Sequence, residues 1–103
     1  MNIQSTIEKK VTDQIKPDFL KVENESNRHA VPENSETHFK VTVVSDIFHN
    51  MRLLARHRII NKILQSELQG PVHALALHTF TNSEWRDRSQ LTRDSGKCLG
   101  KGD

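Results

Sequence analysis

A chain of 103 residues has room for one domain and one modest hydrophobic core. Hydrophobic residues make up 34% and aromatics 5%, with no tyrosine, so part of the length is expected to stay outside the packed core. Fifteen Lys and Arg against thirteen Asp and Glu leave a net charge of +2, which excludes a general polycation; any nucleic-acid role has to come from local concentration of charge.

The elements can be taken in chain order. Ile3, Ile7, Val11 and Ile15 recur every four positions and predict one apolar helix stripe, ended by Lys16-Pro17 because a residue before proline is pushed away from helical angles. The run FLKVENES, residues 19–26, alternates through Leu20 and Val22 as a half-buried strand does. NRHAVPENSE, residues 27–36, has the composition of a loop. In THFKVTVVSDIF, Phe39, Val41 and Val43 share one face and His38, Lys40 and Thr42 the other, which is the clearest strand in the sequence. From Arg52 to Leu68 a helix is expected, with Leu53, His57, Ile60, Ile63, Leu64 and Leu68 on one arc and Arg52, Arg56, Arg58 and Lys62 on the opposite side. Gln69-Gly70-Pro71 should end it. VHALALHTF gives a third strand with His73, Leu75 and Leu77 on one face. TNSE, residues 81–84, has the spacing of a capping box, with Trp85 anchoring the short helix that follows.

The order is α-β-β-α-β-α. It predicts a two-layer α+β domain over residues 1–91, with helices on one face of a mixed three-stranded sheet and Val41, Val43, Leu75 and Leu77 buried against Ile60 and Leu64. The first two strands suit an antiparallel pair, and the last two, with a helix between them, a parallel one. Residues 92–103, TRDSGKCLGKGD, have no periodicity and are expected to form a disordered C-terminal tail. Cys98 is the single cysteine, so no internal disulfide can form, and a reducing compartment fits. The N-terminal residues lack the apolar core of a signal peptide and no apolar run has membrane-spanning length, so a soluble cytoplasmic protein is expected.

Six histidines raise the question of a metal. His57 lies on the apolar arc of its helix and reads as a packing residue; His38 and His78 lie on solvated faces; His49 sits in a turn. His29 sits in a long loop able to carry a side chain to a partner, and His73 at a rigid helix-to-strand junction. One mobile and one fixed imidazole could form a two-point clamp, although sequence spacing does not place them together.

Read in order, ENESNRHAVPENSETHFKVTVVSDIF, RHRIINKILQSEL and VHALALHTFTNSEW resemble the BolA family, in its histidine-loop bacterial branch. The resemblance runs from about residue 3 to residue 90. It implies a fold related to the class II KH domain, αββαβα, in agreement with the element order. It also implies a monothiol glutaredoxin partner, with which members share a [2Fe-2S] cluster, and a part in stress-responsive transcription with DNA binding. The histidine of the VHA element is then a cluster ligand, which is His73, and the loop ligand falls on His29, with His38 as the nearby rival. Glutaredoxin and its glutathione would supply the thiolates, and no cofactor is expected in the isolated chain, which would be a monomer or weak homodimer. Imidazole in place of thiolate raises the cluster potential and ties assembly to pH, since a protonated imidazole cannot ligate. Two positions depart from the family pattern: Asn50 stands where glycine is usual, and Asn82 where proline is frequent.

DNA binding is the alternative, carried by Arg52, Arg56, Arg58 and Lys62 on the helix and joined by Lys40. No GxxG loop is present to clamp a nucleic-acid backbone as in KH domains. Isolated Asp46 and Glu84, a Ser45 and His57 without triad logic, and the absence of a phosphate-cradling glycine loop point away from an enzyme.

Overall fold

The structure is a computed structural model and describes residues 2–26 and 35–88. The expectations for the loop around His29, for the tail and for Cys98 fall outside the described residues.

The first helix, α1 (Ile3–Ile15), begins at Asn2, whose side chain accepts the Ser5 N–H at 2.8 Å. It buries Ile7, Val11 and Ile15, the stripe expected from the four-residue spacing. Lys16 ends it in the left-handed region at φ 53° and donates its N–H to the Thr12 carbonyl, before Pro17 closes off any continuation.

Strand β1 (Phe19–Asn24) pairs antiparallel with β2 (His38–Val44), and β2 pairs parallel with β3 (Ala74–Phe80), giving the order β1-β2-β3. In register, Val22, Val41 and Leu77 form one row and Leu20, Val43 and Thr79 the next, all on one face. That face meets α1 and the helix after β2, forming a core with Ile7, Val11, Phe48, Ile60 and Leu64. Period-two alternation and the helix stripe therefore agree, and that agreement makes the core a single cluster.

The other face has its own apolar end. Phe19, Val44 and Phe80 are register partners, and Trp85 closes over them, its ring 5.1 Å from Phe19 and 5.2 Å from Phe80. Val44 is completely buried there. Trp85 belongs to the last helix, α4, over residues 82–88, so the tryptophan anchors that helix to the sheet as the sequence suggested.

Between β2 and the central helix, a turn of 3-10 helix (Asp46–Phe48) buries Phe48. Asn50 then sits at φ 64°. Asparagine is the residue after glycine that best tolerates this region, so Asn50 suits the local backbone there. The expected central helix is two: α2 (Leu53–Ile63) and α3 (Gln65–Gln69), parted at Leu64 with φ −101° and ψ 21°. The kink lets Leu64 bury fully while Glu67 turns inward to meet Lys10 of α1 at 2.7 Å. Gly70 follows α3 where a Cβ would stand 3.3 Å from the Ser66 carbonyl oxygen.

Candidate functional site

His73 lies just before β3, exposed, and its neighbourhood is assembled from four segments. Its N–H and that of Ala74 both donate to the Thr37 carbonyl, at 2.8 and 3.1 Å. The shared acceptor interrupts strict pairing at the strand mouth. Alternation alone would put His73 and His38 on opposite faces, yet their rings meet edge to face with centroids 6.2 Å apart. His38 thus belongs to this corner rather than to an isolated solvated face. Its Nδ1 lies 2.8 Å from the Thr37 hydroxyl, which fixes the ring.

The stem of the histidine loop is held beside this pair. Ser26, 2% exposed, accepts the N–H groups of Thr37 and His38 on its hydroxyl oxygen at 2.9 and 3.1 Å. Asn24 accepts the Ser26 N–H at 2.9 Å and donates its amide to the Ser35 carbonyl at 3.0 Å, tying the two ends of the loop together. Glu36 receives the Ile3 and Gln4 N–H groups at 3.1 and 3.2 Å, a carboxylate at the positive end of α1. The described residues on either side, 24–26 and 35–37, are therefore anchored to both the sheet and a helix. His29 itself lies outside the described residues. Among the described residues, no group of three or more His, Cys, Asp or Glu side chains could hold a metal ion.

None of the stem residues was marked by the sequence. Ser26, Thr37 and Glu36 act through backbone N–H groups distant in sequence, and only a known register makes such bonds legible.

The basic side chains divide differently from expectation. Arg52, Arg58 and Lys62 are exposed on or at the start of α2. Arg56 is 5% exposed. At about 100° per residue it lies roughly 40° from Ile60, inside the apolar arc, so its placement with the exposed arginines is corrected. Its guanidinium forks onto the Glu84 carboxylate at 2.7 and 3.2 Å, its Nε donates to the Met51 carbonyl at 3.0 Å and Nη1 to the Thr79 carbonyl at 3.2 Å, and it lies over the Phe48 ring. Lys40 is also set apart. It alternates with Phe39 and Val41 and so lies on the sheet face away from α2, where it cannot extend the helix patch.

Glu84 completes the capping box: its carboxylate accepts the Thr81 N–H at 2.9 Å while the Thr81 hydroxyl accepts the Glu84 N–H at 3.2 Å. The Arg56 guanidinium and then the Thr81 N–H hold its carboxyl down at about 2, against an ordinary 4.5. Asn82 donates its N–H to Asp46 at 3.0 Å and its side-chain amide to Asp18 at 2.6 Å, and the backbone bond chiefly lowers the Asp46 pKa. His57 and His78 line neither cluster; His57 is half-buried on α2 and His78 exposed on β3.

Compared with known proteins, residues 11–84 match the family model described as BolA-like protein. The chain is 53% identical over 98 residues to the DNA-binding transcriptional regulator BolA of Vibrio cholerae, covering 95% of this chain and 92% of that protein. It is 48% identical over 102 residues to the protein of the same description in Escherichia coli K12, covering 99% and 97%. The solution structure of BolA1 from Mus musculus superposes with a TM-score of 0.80 at 45% identity, covering 88% of this chain and 74% of that one. Among the described residues, no helix is long and apolar enough to cross a membrane.

Proposed function

Because the chain belongs to the BolA-like family, we propose that it is a non-enzymatic regulator and adaptor that binds a monothiol glutaredoxin and completes a shared [2Fe-2S] site through His73 and His29, linked to stress-responsive transcription and iron and redox homeostasis. The observation that carries the reading is the corner where exposed His73 and the pinned stem of the His29 loop come together beside His38. The residues fit a shared site. Imidazole is a suitable ligand for iron. The described residues offer too few side chains for a complete shell, so thiolates from glutaredoxin and glutathione would fill it. When bound, the cluster supplies one-electron chemistry and a reason for two proteins to associate. This chain contributes position. The Thr37 carbonyl holds the backbone at His73, and Ser26 and Asn24 hold the described residues that precede and follow the His29 segment.

Anaerobic reconstitution with a monothiol glutaredoxin, followed by visible circular dichroism, tests this. The mixture should give a spectrum distinct from that of glutaredoxin alone, and His73→Ala should return it to the glutaredoxin-only form. An unchanged spectrum in that variant would count against the reading.

The second reading, DNA binding without need of a cluster, is favoured by one specific observation: Arg52, Arg58 and Lys62 are exposed along a single helix. The bacterial relatives named as DNA-binding regulators support it. Phosphate contacts from these side chains would supply a salt-dependent, largely sequence-independent affinity.

A further inference from the structure

We propose that the outer edge of β3 pairs antiparallel with the same edge of a second copy of this chain, around a two-fold axis at Ala76. The direction of each backbone group in β3 follows from bonds at its two ends. Ala74 donates its N–H to the Thr37 carbonyl at 3.1 Å, and the Phe80 carbonyl accepts the Ser45 N–H at 2.9 Å, so the even-numbered residues of the strand turn their backbone groups toward β2. Leu75, Leu77 and Thr79 then turn theirs the other way. The Arg56 guanidinium agrees with that parity, reaching the Thr79 carbonyl from outside at 3.2 Å. At the other end, His73 donates its N–H inward to Thr37. Between these two closures stand the N–H and C=O groups of Leu75 and Leu77, and nothing among the described residues bonds their outward side.

The two edges of the sheet differ in kind. On β1 the Val22 carbonyl accepts the Gln4 side-chain amide at 2.9 Å, and charged Lys21 and Glu23 stand in the strand. Such features keep an edge from pairing. β3 carries no Lys, Arg, Asp, Glu or Pro over its length. Leu75 and Leu77 also stay half-buried although their register partners Phe39 and Val41 are buried, so apolar surface continues out to the edge. An uncharged, open edge is a template for another strand.

The register selects a second copy as that strand. With Ala76 facing its own image, Leu75 pairs with Leu77 of the second copy and Leu77 with its Leu75, and these hydrogen-bonded pairs use every open backbone group. On the helix-covered face each leucine meets a leucine. On the other face exposed Ala76 meets alanine at the closer, non-hydrogen-bonded position, and exposed Ala74 meets His78. The edge is thus complementary to itself in hydrogen bonding, size and charge. Pairing joins two three-stranded sheets into one through a short contact, so the association is weak and concentration-dependent.

The test uses the full chain without glutaredoxin or DNA, with reductant present so that Cys98 forms no intermolecular disulfide. Sedimentation from micromolar to millimolar concentration should show monomer passing to dimer. Amide exchange at Leu75 and Leu77 should slow as concentration rises, while Ala76 and His78, already bonded to β2, stay constant. Ala76→Lys and Ala76→Glu each set like charges across the axis, and each should weaken association about fivefold or more. An equimolar mixture of the two should restore it, because lysine then faces glutamate. The proposal is overturned if the native chain stays monomeric at millimolar concentration, or if dimer forms with the Leu75 and Leu77 exchange unchanged. It is overturned equally if mixing the folded variants gives no more dimer than either alone. The exchange is read in the native chain, so a variant that misfolds leaves the question decidable.

Discussion

The Arg56 guanidinium meets the Glu84 carboxylate through two hydrogen bonds, at 2.7 and 3.2 Å, and this pair joins the central helix to the last one across the end of β3. Glu84 is half exposed and Arg56 is almost fully buried. Removing the arginine would leave the Thr79 and Met51 carbonyls without this donor, in a pocket against Phe48. Arg56→Ala should therefore cost about 2–4 kcal/mol in urea unfolding. Lysine should recover only a small part, since it lacks the planar fork.

The same pair sets an acid limit to stability. Glu84 is depressed from 4.5 to about 2 in the folded chain. A depressed carboxylate stabilises the fold above its unfolded pKa, and the contribution is lost as pH falls through the folded one. The difference in stability between the native chain and Glu84→Gln should be full above about pH 5 and shrink as the pH falls from 4.5 to about 2. Allowing for the solvent screening of a half-exposed group, the contribution is about 1–2 kcal/mol. Urea midpoints for both proteins across this range check the sign and the window.

Asn82 offers a separable test. Proline at the first helical position is well accepted, so Asn82→Pro should change stability by less than about 1 kcal/mol. It removes the N–H that chiefly lowers the Asp46 pKa, as well as the amide bond to Asp18. Carbon-detected titration should then find Asp46 nearer its ordinary value. Asn82→Ala, which keeps the backbone donor, should leave much of the depression in place.

If α2 contacts DNA phosphates, Arg58→Ala and Lys62→Ala should weaken binding similarly for all sequences. Each should lower the slope of log affinity against log salt by about 1. Lys40→Ala should leave the slope unchanged, because Lys40 lies on the far face of the sheet. Gel shifts at two salt concentrations distinguish these outcomes.

Much of the fold was legible because it obeys a simple period. Phe39, Val41 and Val43 alternate, Ile7, Val11 and Ile15 recur by four, and Thr81 with Glu84 announces a helix start; each is borne out. The break at Leu64 was not legible, since no proline or glycine marks it and it follows from fitting Leu64 and Glu67 to the core. Arg56 was misplaced because its charge outweighed its spacing, although it stands four residues before Ile60 on the buried side. The meeting of His38 with His73 depends on the doubled acceptor at Thr37, which no alternation rule foretells.

In the proposed function, an imidazole of this chain, on His73, ligates the iron of a shared cluster. Pulsed electron paramagnetic resonance would test it on the reduced complex, with only this chain labelled by nitrogen-15 at histidine. Nitrogen-15 hyperfine coupling that disappears in His73→Ala is expected. A complex without such coupling, or one that keeps it unchanged in the variant, would rule out His73 as an iron ligand.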